Sequence, residues 1–234
     1  MNILAPNKDH IVVDVDELLV LISPKWIYTL IEEDYDYFNK YFHLPDKDTF
    51  VYNSDFEFRV MQRKNFYIDQ WLIRNENREL YSPEEIITMR KKFMEAYDRP
   101  DFYDNLNGTP IAEALSAAAR QPDVKTVSII TRCTDNNRES KEKLIRRIFG
   151  NNHKVDLYFL DLNEKKSDVI KGLGNRVGAI FEDERENILD IADNCPNLNE
   201  VTFYVPAYGY NLPTTEMIDK FNKDKRFEVE YYQP

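Results

Sequence analysis

Short runs of apolar, mostly β-branched residues recur along the sequence and alternate with amphipathic stretches. Such runs are typical of buried strands, and five are present: Ile11–Asp14, Val127–Thr131, Val155–Leu160, Val177–Phe181 and Val201–Val205. Between the later runs, apolar residues return at helical spacing. This spacing predicts helices over Pro110–Arg120, Arg138–Phe149, Ser167–Leu173, Glu186–Asp193 and Thr214–Phe221. Strands that alternate with helices predict an α/β fold with a parallel sheet covered on both faces.

The segment from about residue 23 to residue 100 has a different pattern. It is rich in Tyr, Phe and charged residues, and its strand signals are weak. Lys25–Phe42 and Pro83–Tyr97 are predicted to be helices, whereas Asp46–Asn53 and Phe56–Arg59 fit either a loop or a short strand. We therefore predict a helical cap inserted after the first strand. The predicted division is a core of residues 1–22 and 101–234 and a cap of residues 23–100.

The composition is that of a folded protein with a sizeable core. Hydrophobic residues make up 42% of the 234 residues, which fits one large domain or one core with an inserted lobe. Glycine is scarce, with 6 residues, so a glycine-rich phosphate-binding loop is not expected. The short segment Gly172–Gly174 predicts a helix end instead.

Charge and targeting signals exclude several classes of partner. The net charge of −11, from 31 basic and 42 acidic residues, disfavours binding to long nucleic acid or to an anionic membrane. A small anionic substrate remains compatible, because a metal ion and a few local cations can outweigh the global field. The N-terminus lacks the features of a signal peptide, and no apolar run reaches the roughly 18 residues of a membrane span. Since two cysteines also do not support a disulfide framework, we expect a soluble, cytoplasmic protein.

Polar side chains follow the predicted strands at their carboxyl ends, where open parallel sheets bind their ligands. In chain order these residues are Asp14 and Asp16, Thr131 and Arg132, Lys165 and Lys166, and Asp183. Two carboxylates as close as Asp14 and Asp16 repel each other unless a cation lies between them, and such oxygen ligands suit Mg²⁺. The set supplies metal ligands, a nucleophile, a hydroxyl donor and a fixed cation. These groups are the ones needed to transfer a phosphoryl group.

The order and spacing of these residues resemble the four motifs of the haloacid dehalogenase (HAD) superfamily, over residues 8–22 and 101–210. The resemblance implies a Rossmann-like core in which Asp14 is the nucleophile that forms an aspartyl-phosphate. It implies that Asp16 is the general acid/base and that Thr131 is the hydroxyl at the end of the second strand. Lys166, or its neighbour Lys165, matches the lysine that neutralises the phosphate and the nucleophile.

The resemblance also implies a magnesium site. Its predicted ligands are the carboxylates of Asp14, Asp16 and Asp183, with the backbone carbonyl of Val15 as a further ligand. Arg132 and Lys165 are candidate substrate-binding residues, although each type is also common as a solvated surface residue. Within the superfamily, the segments 99–115 and 208–211 are most similar to the 5'(3')-deoxyribonucleotidase-like branch.

Two residues depart from the family pattern. Leu18 lies where the family usually has Thr or Val, and Glu17 occupies a position that is often Gly. Leu18 removes no catalytic group. Glu17 brings a negative charge near a phosphate site, where it either weakens substrate binding or points outward.

The sequence therefore predicts an enzyme of the HAD-type phosphatase class. The predicted activity is a magnesium-dependent phosphomonoesterase that acts on a nucleotide or a similar small phosphate ester. Two alternatives stay open: a sugar-phosphate or nucleic-acid 3'-end phosphatase, and a binding or regulatory protein that has lost turnover. The predicted partner is a small phosphorylated substrate, and the oligomeric state is left open, a homodimer included.

Overall fold

The computed structural model describes residues 4, 7–42, 46–63 and 82–234. Within these residues, six strands form one parallel sheet in the order β3-β2-β1-β4-β5-β6. The strands are β1 (His10–Val13), β2 (Thr126–Arg132), β3 (Val155–Leu160), β4 (Val177–Phe181), β5 (Val201–Pro206) and β6 (Phe227–Tyr232). The α/β class is confirmed, and the five predicted strands lie within one residue of their expected bounds.

The described residues form nine α-helices, of which the last five cover the two faces of the sheet. In the first half of the chain they are α1 (Ile22–Glu33), α2 (Tyr35–Phe42), α3 (Ser54–Met61) and α4 (Pro83–Tyr97). They are followed by α5 (Pro110–Ala118), α6 (Arg138–Phe149), α7 (Lys166–Leu173), α8 (Arg185–Asn194) and α9 (Thr215–Lys223). None of these helices has the length and apolar character needed to span a lipid bilayer.

Alternation along the central strand explains why both faces are buried. Ile11 and Val13 pack with α5 and α6 in one apolar cluster, whereas Val12 points to the opposite face and packs with α7, α8 and α9. Val13 is in register with Phe181 of β4. The residues that follow these two strands therefore emerge side by side at the carboxyl edge of the sheet.

The predicted cap segment contains four described helices that share an aromatic cluster. The continuous helix predicted over Lys25–Phe42 breaks at Asp34, which ends α1 before α2 begins. Phe56–Arg59 lies inside helix α3 and is not a strand, because the side chain of Asn53 caps that helix by accepting the amide of Phe56. The cluster extends to Tyr208 and Tyr210, which follow β5.

Helix α3 lies close to the segment that follows β5. The amide of Gly209 donates a hydrogen bond to the carbonyl of Met61 at 3.0 Å. A Cβ atom at Gly209 would overlap the carbonyl oxygen of Gln62, so this position needs glycine. The end of α3 is thereby held beside the loop that carries Tyr208 and Tyr210.

Candidate active site

A cavity of about 660 Å³ lies at the carboxyl edge of the sheet, beneath the helices of the predicted cap. Six of the residues predicted from the sequence line it, namely Asp14, Asp16, Thr131, Arg132, Lys166 and Asp183. The opposite wall is mainly apolar and is formed by Ile22, Trp26, Phe93, Met94 and Tyr97, with Arg63 and Arg90 beside them. The structure therefore brings the strand-end residues together under an aromatic wall.

Lys166 is the lysine that lies beside Asp14. Its ammonium is 2.8 Å from Oδ2 of Asp14 and 2.7 Å from Oε2 of Glu182, and its side chain is only 4% exposed. Burial alone would lower the pKa of Lys166, but the two carboxylates outweigh burial and raise it. Lys165 is placed elsewhere: it is 61% exposed and forms an ion pair with Asp190 at 2.7 Å.

Three buried carboxylates form one acidic group. Ligand oxygens of Asp14, Glu182 and Asp183 all lie within 4.8 Å of one another. Burial raises the pKa of Glu182 to about 7, with Asp14 adding to the shift and Lys166 opposing it. Burial, together with Glu182 and Asp14, also raises the pKa of Asp183. Hard, buried oxygen donors with a surplus of negative charge fit Mg²⁺.

Asp16, which the sequence predicts as a metal ligand, lies outside this acidic group and has its own partners, and Glu182 occupies the third position in the group instead. Lys141 places its ammonium 2.8 Å from Oδ2 of Asp16, and the Tyr103 hydroxyl lies 3.0 and 3.1 Å from the two carboxylate oxygens. Lys141 also donates to the carbonyl of Arg132 at 2.6 Å. Burial raises the pKa of Asp16, Lys141 opposes that shift and Asp14 reinforces it. The carboxylate of Asp16 is thus charge-compensated by groups other than a metal.

Sequence reasoning missed both partners of Asp16. A signal for Lys141 was present, because it lies three and four residues before Leu144 and Ile145 on the apolar face of α6. A fully buried lysine on such a face needs a carboxylate or carbonyl partner. Tyr103 lies in an irregular segment between α4 and α5, and no periodicity marks it.

Thr131 and Arg132 both line the cavity, but only Arg132 has hydrogen-bond partners for its side chain among the described residues. The hydroxyl of Thr131 is buried, and in the described part of the chain it has no hydrogen-bond partner. The guanidinium of Arg132 donates to Glu184 at 3.2 Å and to Asn187 at 3.1 Å. A bound ligand would therefore complete the bonding of Thr131, whereas Arg132 already has protein acceptors.

Glu17 points inward, so the outward orientation considered from the sequence is wrong. It is 4% exposed and lines the cavity. Its Oε1 accepts hydrogen bonds from the backbone amide of Ser23 at 2.9 Å and from the Ser23 hydroxyl. Burial raises the pKa of Glu17, against the lowering effects of Arg63 and Ser23. Leu18, the second departure from the family pattern, is a buried core residue.

Two tyrosines after β5 connect Glu17 to the acidic group. The Tyr208 hydroxyl donates to the carbonyl of Glu17 at 2.9 Å, and the Tyr210 hydroxyl donates to Oδ2 of Asp183 at 2.7 Å. The guanidinium of Arg63 lies over the Tyr210 ring, 4.3 Å from its centroid. Arg63 also approaches Oε1 of Glu17, with Nη2 3.8 Å away.

No protein-family model matches the chain, and no curated protein matches its sequence. Among solved structures, a HAD-superfamily hydrolase of subfamily IA, variant 1, from Geobacter sulfurreducens PCA is 12% identical, with a TM-score of 0.46 over 92% of this chain and 96% of its own. A haloacid dehalogenase-like hydrolase from Burkholderia xenovorans LB400 is 10% identical, with a TM-score of 0.45 over 96% of this chain and 95% of its own. L-2-haloacid dehalogenase from Xanthobacter autotrophicus is 15% identical, with a TM-score of 0.36 over 95% of this chain and 76% of its own. These structural neighbours are HAD-superfamily hydrolases of low sequence identity.

Proposed function

We propose that the protein is a magnesium-dependent phosphomonoesterase of the HAD type. One observation carries the proposal: Asp14 and Asp16 line the same cavity but have separate partners. Asp14 lies among Lys166, Glu182 and Asp183, whereas Asp16 is held by Lys141 and Tyr103. Two carboxylates with different environments suit two different roles in one reaction.

In the proposed mechanism, a carboxylate oxygen of Asp14 attacks phosphorus in line with the ester oxygen. The P–O bond to the leaving group breaks, and Asp16 gives its proton to the departing oxygen. An aspartyl-phosphate remains on Asp14. Asp16, now a carboxylate, takes a proton from a water molecule that attacks phosphorus, which releases inorganic phosphate and restores Asp14.

Neighbouring groups supply the charge compensation that this reaction needs. Lys166 and Thr131 both line the cavity, and in the proposed mechanism the Lys166 ammonium and the Thr131 hydroxyl donate to phosphoryl oxygens. Asp14, Glu182 and Asp183 are the residues that would hold Mg²⁺. When bound, the ion would supply positive charge for the phosphoryl oxygens and offset the repulsion among the carboxylates.

A nucleotide is the proposed substrate, in keeping with the similarity of segments 99–115 and 208–211 to the deoxyribonucleotidase-like branch. The support on the cavity wall is aromatic: Trp26, Phe93 and Tyr97 offer a surface on which a base can stack. A small phosphorylated substrate also agrees with the net charge of −11, because Lys166 and Arg63 provide positive charge locally.

The test measures phosphate release from a panel of nucleoside monophosphates, sugar phosphates and p-nitrophenyl phosphate, with and without Mg²⁺. We expect magnesium-dependent release that Asp14→Asn abolishes. Asp219→Asn, at an exposed position of α9, is the matched control and should leave the rate unchanged. The proposal is wrong if folded protein with Mg²⁺ releases phosphate from none of these monoesters.

A further inference from the structure

Glu17 carries a buried carboxylate oxygen that none of the described residues satisfies. Ser23 donates two hydrogen bonds to Oε1, one from its amide and one from its hydroxyl. The closest guanidinium nitrogen of Arg63 also approaches Oε1. Oε2 is buried and, among the residues that the structure describes, it has no hydrogen-bond partner.

The backbone conformation at Glu17 is strained. Glu17 has a φ of 58°, in the left-handed region that residues with long side chains rarely adopt. The Tyr208 hydroxyl, which donates to the Glu17 carbonyl at 2.9 Å, helps to hold that conformation. Strained residues of this kind concentrate at functional sites, where the surrounding structure over-determines them.

Two of the buried, unpartnered side-chain atoms found in the described part of the chain belong to residues that line the cavity. They are the hydroxyl of Thr131 and Oε2 of Glu17. The hydroxyl can donate to a phosphoryl oxygen. An ionised carboxylate can only accept a hydrogen bond, so it would repel a phosphoryl oxygen. Oε2 of Glu17 therefore suits a part of the ligand other than the phosphoryl group, one that carries a hydrogen-bond donor.

We propose that Oε2 of Glu17 is a specificity site that accepts a hydrogen bond from the leaving group of the substrate. The substrate class is phosphate monoesters whose alcohol carries an O–H or N–H donor near the ester oxygen, such as polyols, amino alcohols and sugars, the sugar of a nucleotide included. The inference rests on the proposed phosphomonoesterase. It assigns a function to Glu17, one of the two residues that depart from the family pattern.

The experiment compares matched esters at two chain lengths. The two-carbon series is ethyl, 2-hydroxyethyl and 2-aminoethyl phosphate, and the three-carbon series is propyl, 3-hydroxypropyl and 3-aminopropyl phosphate. For the wild-type protein we expect kcat/KM in at least one series to be about tenfold or more higher for both donor esters than for the plain alkyl ester. In Glu17→Leu this ratio should fall to about one.

Glu17→Gln gives a sharper test with nearly unchanged shape. The Ser23 donors should keep the amide oxygen at the Oε1 position, which places the amide N–H₂ where Oε2 was. The variant should then lose its preference for the aminoalkyl esters, which offer only donors, and keep part of its preference for hydroxyalkyl esters. Glu142→Gln, at a half-exposed position of α6 where the carboxylate pairs with Arg146, is the matched control and should keep the wild-type ratios.

The outcomes separate this inference from the function beneath it. If wild-type protein with Mg²⁺ hydrolyses neither these esters nor p-nitrophenyl phosphate, the phosphomonoesterase itself is wrong. If it hydrolyses p-nitrophenyl phosphate but shows no donor preference in either series, the specificity site alone is wrong. The same conclusion follows if Glu17→Gln, shown to be folded by circular dichroism, keeps the wild-type preference for aminoalkyl esters.

Discussion

Asp14 and Asp16 are separated by one residue, yet the two sides of the cavity surround them with different balances of charge. On the Asp14 side, three carboxylates lie together, and the ammonium of Lys166 contacts two of them, Asp14 and Glu182. On the Asp16 side, one carboxylate has the ammonium of Lys141 and the hydroxyl of Tyr103. The first side has surplus negative charge, and the second is balanced.

This difference suggests a division of labour in the proposed reaction. A surplus of buried negative charge is stabilised by a divalent cation, so metal dependence should reside on the Asp14 side. A balanced, hydrogen-bonded carboxylate keeps its orientation without a metal and suits proton transfer. Variants on the Asp14 side should therefore alter metal dependence, whereas variants on the Asp16 side should alter proton transfer to the leaving group.

The largest effect is expected from Lys166→Met. Removing the ammonium leaves the buried carboxylates of Asp14 and Glu182 without their shared cation, so kcat should fall at least about a thousandfold for every substrate. Lys165→Met is the matched control, because Lys165 is exposed and pairs with Asp190. Its kcat should change less than about twofold. Comparable losses in the two variants would contradict the placement of Lys166 beside Asp14.

Lys141→Met should instead lower kcat by an amount that depends on the leaving group. Without Lys141 to hold Asp16, kcat for alkyl phosphates should fall about a hundredfold. p-Nitrophenyl phosphate should lose less than about tenfold, because its leaving group departs without a proton. Steady-state kinetics on both substrates checks this, with the exposed Lys143→Met on the same helix as control. Equal losses on both substrates would show that the two sides are not separate.

Magnesium should stabilise the protein more strongly as pH rises. The folded pKa of Glu182 is about 7, above its ordinary 4.5. Without metal, its contribution to stability is fully present below pH 4.5 and is lost as pH rises through about 7. Mg²⁺ binds the ionised form, so the Tm increase on adding Mg²⁺ should be larger at about pH 8 than at about pH 6.

Differential scanning fluorimetry at both pH values measures this effect. Asp183→Asn should reduce the Mg²⁺-dependent shift at about pH 8, whereas Lys141→Met should retain it. A shift that is equal at the two pH values, or larger at the lower one, would contradict the assignment of the metal to the acidic group.

The smallest effects come from one tyrosine on each side. Tyr210→Phe removes the hydrogen bond to Asp183 and should weaken Mg²⁺ affinity about tenfold. Tyr103→Phe removes the donor to Asp16 and should leave Mg²⁺ affinity unchanged while lowering the rate on alkyl phosphates several-fold. Magnesium titrations and steady-state rates for both variants test whether Tyr210→Phe weakens Mg²⁺ affinity and Tyr103→Phe lowers the rate without weakening it.

Local pattern was sufficient for five of the six described strands. β1, β2, β4 and β5 are apolar runs because both of their faces are buried, and β3, although it is a partly exposed edge strand, is apolar at five of its six positions. β6 was missed because Glu228 and Glu230 alternate with apolar residues at the sheet edge. In the predicted cap, helical spacing continues through Asp34, so the break between α1 and α2 was invisible to periodicity. Residues 64–81 of that segment lie outside the described residues.

In the candidate site, too, local sequence predicts some residues and misses others. Strand ends are read from local sequence, and this was enough to predict that Asp14, Thr131 and Asp183 meet. Lys141 reaches Asp16 across 125 residues of sequence, and no local rule pairs residues so far apart. The inward direction of Glu17 depends on its left-handed φ and on Ser23, which only the folded chain supplies.

The sheet order has a consequence for how the chain folds as it is synthesised. β1, which precedes Asp14, lies between β2 and β4, and both neighbours are translated long after it. Until Val177–Phe181 leaves the ribosome, one hydrogen-bonding edge of β1 has no native partner, and an unpaired apolar edge favours aggregation. Slow translation between residues 132 and 177 would therefore lower the yield of folded protein without changing a single residue of the cavity.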